Sequence, residues 1–506
     1  MRMRKDAKFY VVAIILVALI YLAIKGTSSK HDFRKAAKSK LQLTSEQKAP
    51  PSSCDHHELT AEDVKVSIVV STKANEDAVI TQTVNSVLAH TDPSLLLEVL
   101  IAVDKMVTKD RLQLLTQEFA EYSPLVTIMH GQTGDRLKNK FVVGHSAKGN
   151  VIVFIDDTVV VTENYLNPLL ETLKDHPEGI AVPSYDYFTE MTASVEKTWS
   201  LMKWVFGWRL DIEAYELSFQ EIANRQQDIS MPSMVFDSSA FAIYKTYLEK
   251  LGSIKHDMRY AGSTDLSFAT WLCGGGAYVV PCSRVAKVQS ASTSMPGENK
   301  MKHMVAERYF TEKYLRLFRQ VNPAPVSLTK EENNHLTIEK NFQKKCHRDF
   351  DWYMKTIVKE DVFVPSDEAV AYGYFNSKSG HVCFRQTPAM IFLGYYGCKM
   401  HSRGKMFEYL KSGQLRSGND CITNGGKGGS YMVTDTCDYN KSSFKWITNK
   451  HRQFRSAANQ CISHATDPYK ENNERQVLMF TKCAEESNPS SFQWQLWNSF
   501  IWLDGV

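Results

Sequence analysis

No cysteine precedes Cys54, and no two cysteines anywhere in the chain stand in a Cys-x-x-Cys pair. The second absence argues against a zinc ribbon or finger, which needs paired thiolates at close spacing. Neither sign of charge is gathered into a long block, and the net charge is only +4 over 506 residues. Such a chain has no electrostatic footprint for nucleic acid, and no nucleic-acid partner is expected. Residues 26–63 lack both helical and strand periodicity. The apolar run near the N-terminus lacks a small-x-small cleavage site, which argues against a removable signal peptide.

What remains is informative. The apolar run extends from Phe9 to Ile24 behind Arg2, Arg4, Lys5 and Lys8. As a helix it reaches about 24 Å, close to the thinner membranes of the early secretory pathway. Positive charge before the segment keeps the N-terminus cytosolic and sends everything after Lys25 to the lumen. The expected layout is a cytoplasmic tail (1–8), a transmembrane signal anchor (9–24) and a polar lumenal stem (25–63). Ten cysteines, an even number, suit an oxidising lumen and five disulfides. Asn440-Lys441-Ser442 is the one clear N-glycosylation acceptor.

Past the stem, short β-branched runs alternate with amphipathic stretches. Val66–Val70, Val99–Val103, Leu125–Met129 and Val151–Ile155 read as strands, and Val79, Ile80, Val84, Val87 and Leu88 fall at helical spacing. This order predicts an α/β domain with a mostly parallel sheet, which binds ligands at the carboxyl ends of its strands. Thr72, Asp104 and Asp156 each stand at or just past such an end. The acidic pair in Phe154-Ile155-Asp156-Asp157-Thr158 has the chemistry to hold a divalent cation against a diphosphate. The last quarter changes character. Aromatic pairs recur at Phe407/Tyr409, Phe444/Trp446 and Phe492/Trp494, and Leu415-Arg416-Ser417 and Phe454-Arg455-Ser456 each lead into a cysteine. Three imperfect repeats predict a β-trefoil, with bridges Cys383–Cys398, Cys421–Cys437 and Cys461–Cys483.

Together these features resemble the polypeptide N-acetylgalactosaminyltransferases, which join a GT-A catalytic domain to a ricin-type lectin domain. Thr72-Lys-Ala-Asn75-Glu76 resembles the first-strand motif beside the nucleotide, and Val103-Asp104 the motif whose aspartate faces uracil and ribose. Phe206-Gly-Trp208-Arg-Leu210, Leu266-Ser267-Phe268, Trp271-Leu-Cys273-Gly274-Gly275, Pro281-Cys282-Ser283 and Cys346 with Phe350-Asp-Trp352-Tyr353 match further motifs. The resemblance implies a GT-A domain at 64–345, a linker at 346–379, a lectin-like domain at 380–502, and the bridges Cys54–Cys282 and Cys273–Cys346. It also implies a Golgi single-pass type II protein that uses UDP-GalNAc and manganese to glycosylate Ser or Thr of lumenal polypeptides, with retention of configuration.

The departures from the family pattern concentrate where the chemistry would be. In the metal motif Asp156 stays, but Thr158 stands where one histidine would bind, and Lys287 stands for the other. Asp157 and Thr158 are substitute oxygen ligands, and His145 and His256 are more distant imidazole candidates. The catalytic-loop glutamate falls within Arg259-Tyr260-Ala261-Gly262-Ser263, which has no carboxylate, and Asp265 is the nearest acidic alternative. The donor-binding arginine resembles Lys138, with Lys140 nearby, and an Ala-Gly-Gly loop reads Asp237-Ser238-Ser239. In the tail, the sugar-binding aspartates are replaced by Arg385, Thr423 and Ser463, while Tyr395, Tyr396 and Tyr409 read as core or rim aromatics. Two expectations follow. One is a transferase in which Lys287, with Lys138 and Lys140, neutralises the diphosphate. The other is a pseudo-transferase that binds glycopeptide, nucleotide or active relatives without turnover.

Overall fold

The structure, a computed structural model, describes residues 30, 32–38, 54, 64–72, 77–131, 136–188, 201–217, 230–252, 262–288, 298–323, 326–344, 346–377, 383–386, 391–394, 406–423, 433–466 and 476–502. The apolar run 9–24, Asn75, Glu76, His256, Tyr395, Tyr396 and Cys398 lie outside them. Among the described residues no helix is long and apolar enough to cross a membrane. The chain divides into two compact units, residues 1–204, 214–311 and 326–357, and residues 205–213, 312–325 and 358–506.

The first unit is built on strands β1 (Val66–Thr72), β2 (Leu96–Val103), β3 (Val126–His130), β4 (Val151–Asp156), β5 (Val159–Val161) and β6 (Gly179–Phe188). In chain order the hairpin of β7 (Met202–Phe206) and β8 (Ile212–Glu216), divided between the two units, comes next, and then the first unit's short β9 (Met231–Pro232), β10 (Ala240–Tyr244) and β11 (Gly276–Val288). The sheet runs β3-β2-β1-β4-β10-β6-β11-β5, with β9 on β11. The first four strands are parallel, β10 is antiparallel to both neighbours, β6 and β11 are parallel, and β5 returns antiparallel. It is a mixed sheet of GT-A type. Every residue of β1 and β4 is buried, which explains why those segments read as continuous apolar runs rather than alternating ones.

Residues of several matched motifs pack together in this unit. Phe268 is fully buried and meets Tyr309, Phe310, Phe350 and Tyr353 within 6 Å of ring centroid. Trp271 donates its indole N–H to the Ser233 carbonyl at 2.8 Å. A side chain at Gly275 would collide with the Tyr247 hydroxyl and the Glu178 carbonyl, so the close approach of these elements requires glycine there. The bridges Cys54–Cys282 and Cys273–Cys346 are present.

One finding departs from the expectation of an irregular stem. Residues 32–38 are helical and lie on the sheet's outer layer. Lys30 Nζ donates to the Leu96 carbonyl at 2.6 Å, Arg34 Nε to the Ala89 carbonyl at 2.9 Å, and Phe33 meets Tyr122 edge-on.

The second unit contains β12 (Ala369–Ser377), β13 (Cys383–Gln386), β14 (Ile391–Gly394), β15 (Phe407–Leu410), β16 (Leu415–Ser417), β17 (Asp420–Thr423) and β18 (Val433–Thr436). It continues with β19 (Ile447–Thr448), β20 (Phe454–Arg455), β21 (Gln460–Thr466), β22 (Gln476–Lys482) and β23 (Trp497–Trp502). These form antiparallel sheets, the larger opening at Ala369, ahead of the expected start at residue 380. Phe375, Phe384, Phe407, Ile422, Trp446, Phe454, Ile462, Phe480 and Trp497 share one core.

The repeats are visible in matched contacts. Arg416 pairs with Cys421 as Arg455 pairs with Cys461, and the N–H of Cys437 bonds the Asn419 carbonyl as that of Cys483 bonds Asn459. Trp446 donates to the Ile422 carbonyl at 3.1 Å, and Trp497 to Ile462 at 3.0 Å. The third aromatic position is therefore corrected: Trp497, not Trp494, is the equivalent of Trp446. Trp494 sits outside that core against His464. The sequence pattern misled because three aromatics crowd residues 492–497 and only burial distinguishes them. Bridges Cys421–Cys437 and Cys461–Cys483 are present, and Cys383 is disulfide-bonded.

Candidate active site at the carboxyl ends of the strands

Parallel strands leave their last carbonyls and the first residues of the following loops at one edge, and here β1, β2 and β4 deliver Thr72, Asp104 and Asp156 to that edge. The Asp104 N–H bonds the Thr72 carbonyl at 3.1 Å, and its carboxylate accepts from the Met106 N–H at 2.9 Å, which turns the chain out of the sheet. Asp156 accepts from Ser71 Oγ at 2.6 Å, and Asp157 from Thr72 Oγ1 at 2.7 Å. Asp157 is thus tied to the β1 end and buried, and does not face outward as a ligand.

Two lysines converge on the loop 237–239, which leads into β10. Lys140, fully buried in the helix Arg136–Ser146, places its ammonium 2.7 Å from Asp156 Oδ1 and 2.6 Å from the Ser238 carbonyl. Lys287, near the end of β11, bonds Asp237 Oδ2 and, at 2.8 Å, Ser239 Oγ. The loop itself is fixed. Asp237 Oδ1 accepts from the Ser239 N–H and Oγ, the Ser238 N–H donates to Ser263 Oγ, and the Asp156 N–H bonds the Ser239 carbonyl. Beneath it, Tyr185 donates to the Asp237 carbonyl and accepts from the Ala240 N–H. Burial, reinforced by the Asp237 charge, pushes the Tyr185 hydroxyl well above its usual range, and Tyr187 shifts the same way for the same causes.

The fold brings the two departed metal positions together. Lys287 pairs with Val159 across β5 and β11, and the Val288 N–H bonds the Thr158 carbonyl. The residues there do not fit a manganese ion. Asp156 is engaged by an ammonium, Lys287 is itself a cation, and among the described residues no three His, Cys, Asp or Glu side chains are grouped to hold a metal. His145 lies in the last turn of the helix that carries Lys140.

Other expected residues lie elsewhere. Lys138 is half-buried on the same helix as Lys140, two residues away and so on a different face, and it is Lys140 that reaches Asp156. Asp265 does not face the site: its carboxylate is fully buried, bonded to Arg308 and, at 2.8 Å, to the Tyr309 hydroxyl. Sequence reading missed the Asp186–Arg284 pair, a sealed bidentate contact between β6 and β11. In the second unit Thr423 and Ser463 are buried, and Tyr409 is core, donating to the Trp446 carbonyl at 2.9 Å. Asn440 is exposed in a turn.

The comparisons with known proteins agree with this fold. The Glycosyl transferase family 2 domain matches residues 67–251. Probable N-acetylgalactosaminyltransferase 9 of Caenorhabditis elegans is 24% identical over 71% of this chain and 65% of its own length. Polypeptide N-acetylgalactosaminyltransferase 6 of Mus musculus is 25% identical over 76% of this chain and 65% of its own. The chain is a divergent relative of the polypeptide N-acetylgalactosaminyltransferases. It spans less than two thirds of the length of these two relatives. The solved structure of GalNAc-T7 with UDP, GalNAc and Mn2+ aligns over 93% of this chain and 88% of its own, with a TM-score of 0.58 and 18% identity, and so shares the fold.

Proposed function

We propose that the chain transfers N-acetylgalactosamine from UDP-GalNAc to Ser or Thr hydroxyls of lumenal polypeptides with retention of configuration, using the Lys287 ammonium where relatives use a metal, with Lys140 holding Asp156 and the 237–239 loop in place. The observation that carries this reading is the convergence of Lys140 and Lys287 on the 237–239 loop, beside Asp156 and the Thr72 and Asp104 strand ends. Departure of UDP develops negative charge on the diphosphate. A fixed ammonium stabilises that charge by charge-assisted hydrogen bonds, and it needs no reorganisation at the moment of bond breaking. Asp104 is the group for uracil and ribose. The residues 9–24 serve as a type II anchor in the Golgi membrane, and Asn440 as a glycan acceptor.

We read the second unit as a ricin-type trefoil, supported by its matched repeat contacts. Thr423 and Ser463 have no carboxylate to accept from sugar hydroxyls, so this unit is not a tight GalNAc binder.

The test incubates the full-length chain in detergent with UDP-GalNAc and a Ser/Thr peptide set, with manganese and with EDTA. The expected result is turnover that survives EDTA and falls at least about tenfold in Lys287→Ala, the loss of one charge-assisted contact. Turnover seen only with manganese overturns the lysine reading. UDP binding without turnover leaves a pseudo-transferase.

A further inference from the structure

The charged pairs of the first unit divide into two kinds. Asp186–Arg284 and Asp265–Arg308 are sealed, with side chains at most 2% exposed. Lys287–Asp237 is different: both partners keep a solvent-facing edge, at 19% and 13%. The Asp237 carboxylate is aimed by the Ser239 N–H at 2.8 Å and Ser239 Oγ at 2.6 Å, and the ammonium lies 5.6 Å from the centre of the Tyr185 ring. At this edge two carboxylates, Asp156 and Asp237, pair with two ammonium groups, Lys140 and Lys287. An incoming diphosphate thus meets a cation that already has a negative partner.

We propose that Asp237 is an affinity-determining residue that competes with the donor diphosphate for Lys287. This rests on the reading of Lys287 as the diphosphate's cation. Asp237 and Lys287 both depart from the family pattern, and the two departures are one contact. A carboxylate bonded to Lys287 occupies hydrogen-bonding capacity the phosphate needs and repels the phosphate across the same few ångströms. Nucleotide binds by exchanging one anion for another, and the partial exposure of the pair makes that exchange accessible. Sealed pairs such as Asp186–Arg284 offer no such route.

The experiment measures UDP affinity by calorimetry on the full-length chain in detergent with EDTA, for the native protein, Asp237→Asn, Lys287→Met and the double variant. Asp237→Asn keeps the side-chain size and the acceptor for Ser239 but removes the charge. It is expected to tighten UDP binding about tenfold, the scale of one charge removed at short range near a protein surface. Lys287→Met is expected to weaken binding, and the double variant to lose the gain. Asp237→Ala, read alongside a thermal melt, replaces Asp237→Asn where the latter unfolds. If Lys287→Met weakens UDP binding while neither Asp237 variant tightens it, Asp237 merely orients the lysine: the competition is overturned and the lysine reading stands. If Lys287→Met leaves UDP affinity unchanged, the lysine reading fails and the competition fails with it.

Discussion

Lys140 Nζ lies 2.7 Å from Asp156 Oδ1, with the lysine side chain 1% exposed. The ammonium sits on the one acidic residue of the family's metal motif that this chain keeps, and the same lysine binds the Ser238 carbonyl at 2.6 Å. Removing one partner strands a charge in a poorly hydrated place. Lys140→Met should therefore lower stability by about 3–5 kcal/mol, whereas Lys140→Met with Asp156→Asn should cost clearly less. Unfolding midpoints of the single and double variants in one buffer check this. Equal losses would show that packing, and not the charge, is what Lys140 contributes.

Asp265 makes a separate case, because its position in the sequence beside a Ser-Phe motif suggested chemistry and its surroundings show a scaffold. It is fully buried at the start of the helix Gly262–Leu272 and bonded to Arg308 and Tyr309. Asp265→Asn should destabilise the protein by about 3 kcal/mol, the range for breaking one buried ion pair. The fraction that stays folded should bind UDP as the native chain does. A normal melting point with lost UDP affinity would return Asp265 to the site.

These two carboxylates show what was legible in advance. β-branched runs located β1, β2 and β4, because strands buried on both faces carry little else, and their ends located Thr72, Asp104 and Asp156. The partners of those residues were not legible. Lys140 and Asp156 are 16 positions apart and Lys287 and Asp237 are 50 apart; packing of the helix Arg136–Ser146 on β4 makes neighbours of the first pair, and the order β10-β6-β11 of the second. The docked helix 32–38 was missed because its few contacts, Lys30, Phe33 and Arg34, leave no long apolar stripe. Trp494 was mistaken for Trp497 because spacing alone does not report burial.

Alkaline stability follows from buried phenols. Tyr185, Tyr309 and Tyr353 all have hydroxyls pushed well above the usual tyrosine range, chiefly by burial. The folded state holds these protons more tightly than the unfolded chain, whose tyrosines titrate near pH 10. Their contribution is fully present below about pH 10 and is lost as pH rises beyond it, since only the unfolded state then gains by releasing protons. Spectrophotometric titration should show these three ionising together with unfolding. Ionisation near pH 10 in a still-folded protein would contradict the burial of these rings.

The segment joining the apolar run to the first unit supplies the last test. Lys30 and Arg34 donate to carbonyls at the start of β2 and the end of the helix Asp77–His90, and Phe33 packs on Tyr122. Two partly buried hydrogen bonds to backbone and one edge-on aromatic contact are together worth about 2–3 kcal/mol before the entropy of ordering the helix, so a net gain of about 1–2 kcal/mol is expected. A chain beginning at residue 29 should therefore be more stable than one beginning at residue 40, and Phe33→Ala in the longer chain should remove much of the difference. Differential scanning of the three proteins decides the matter. Equal midpoints would mean that residues 30–38 are a tether and contribute nothing to the unit they touch.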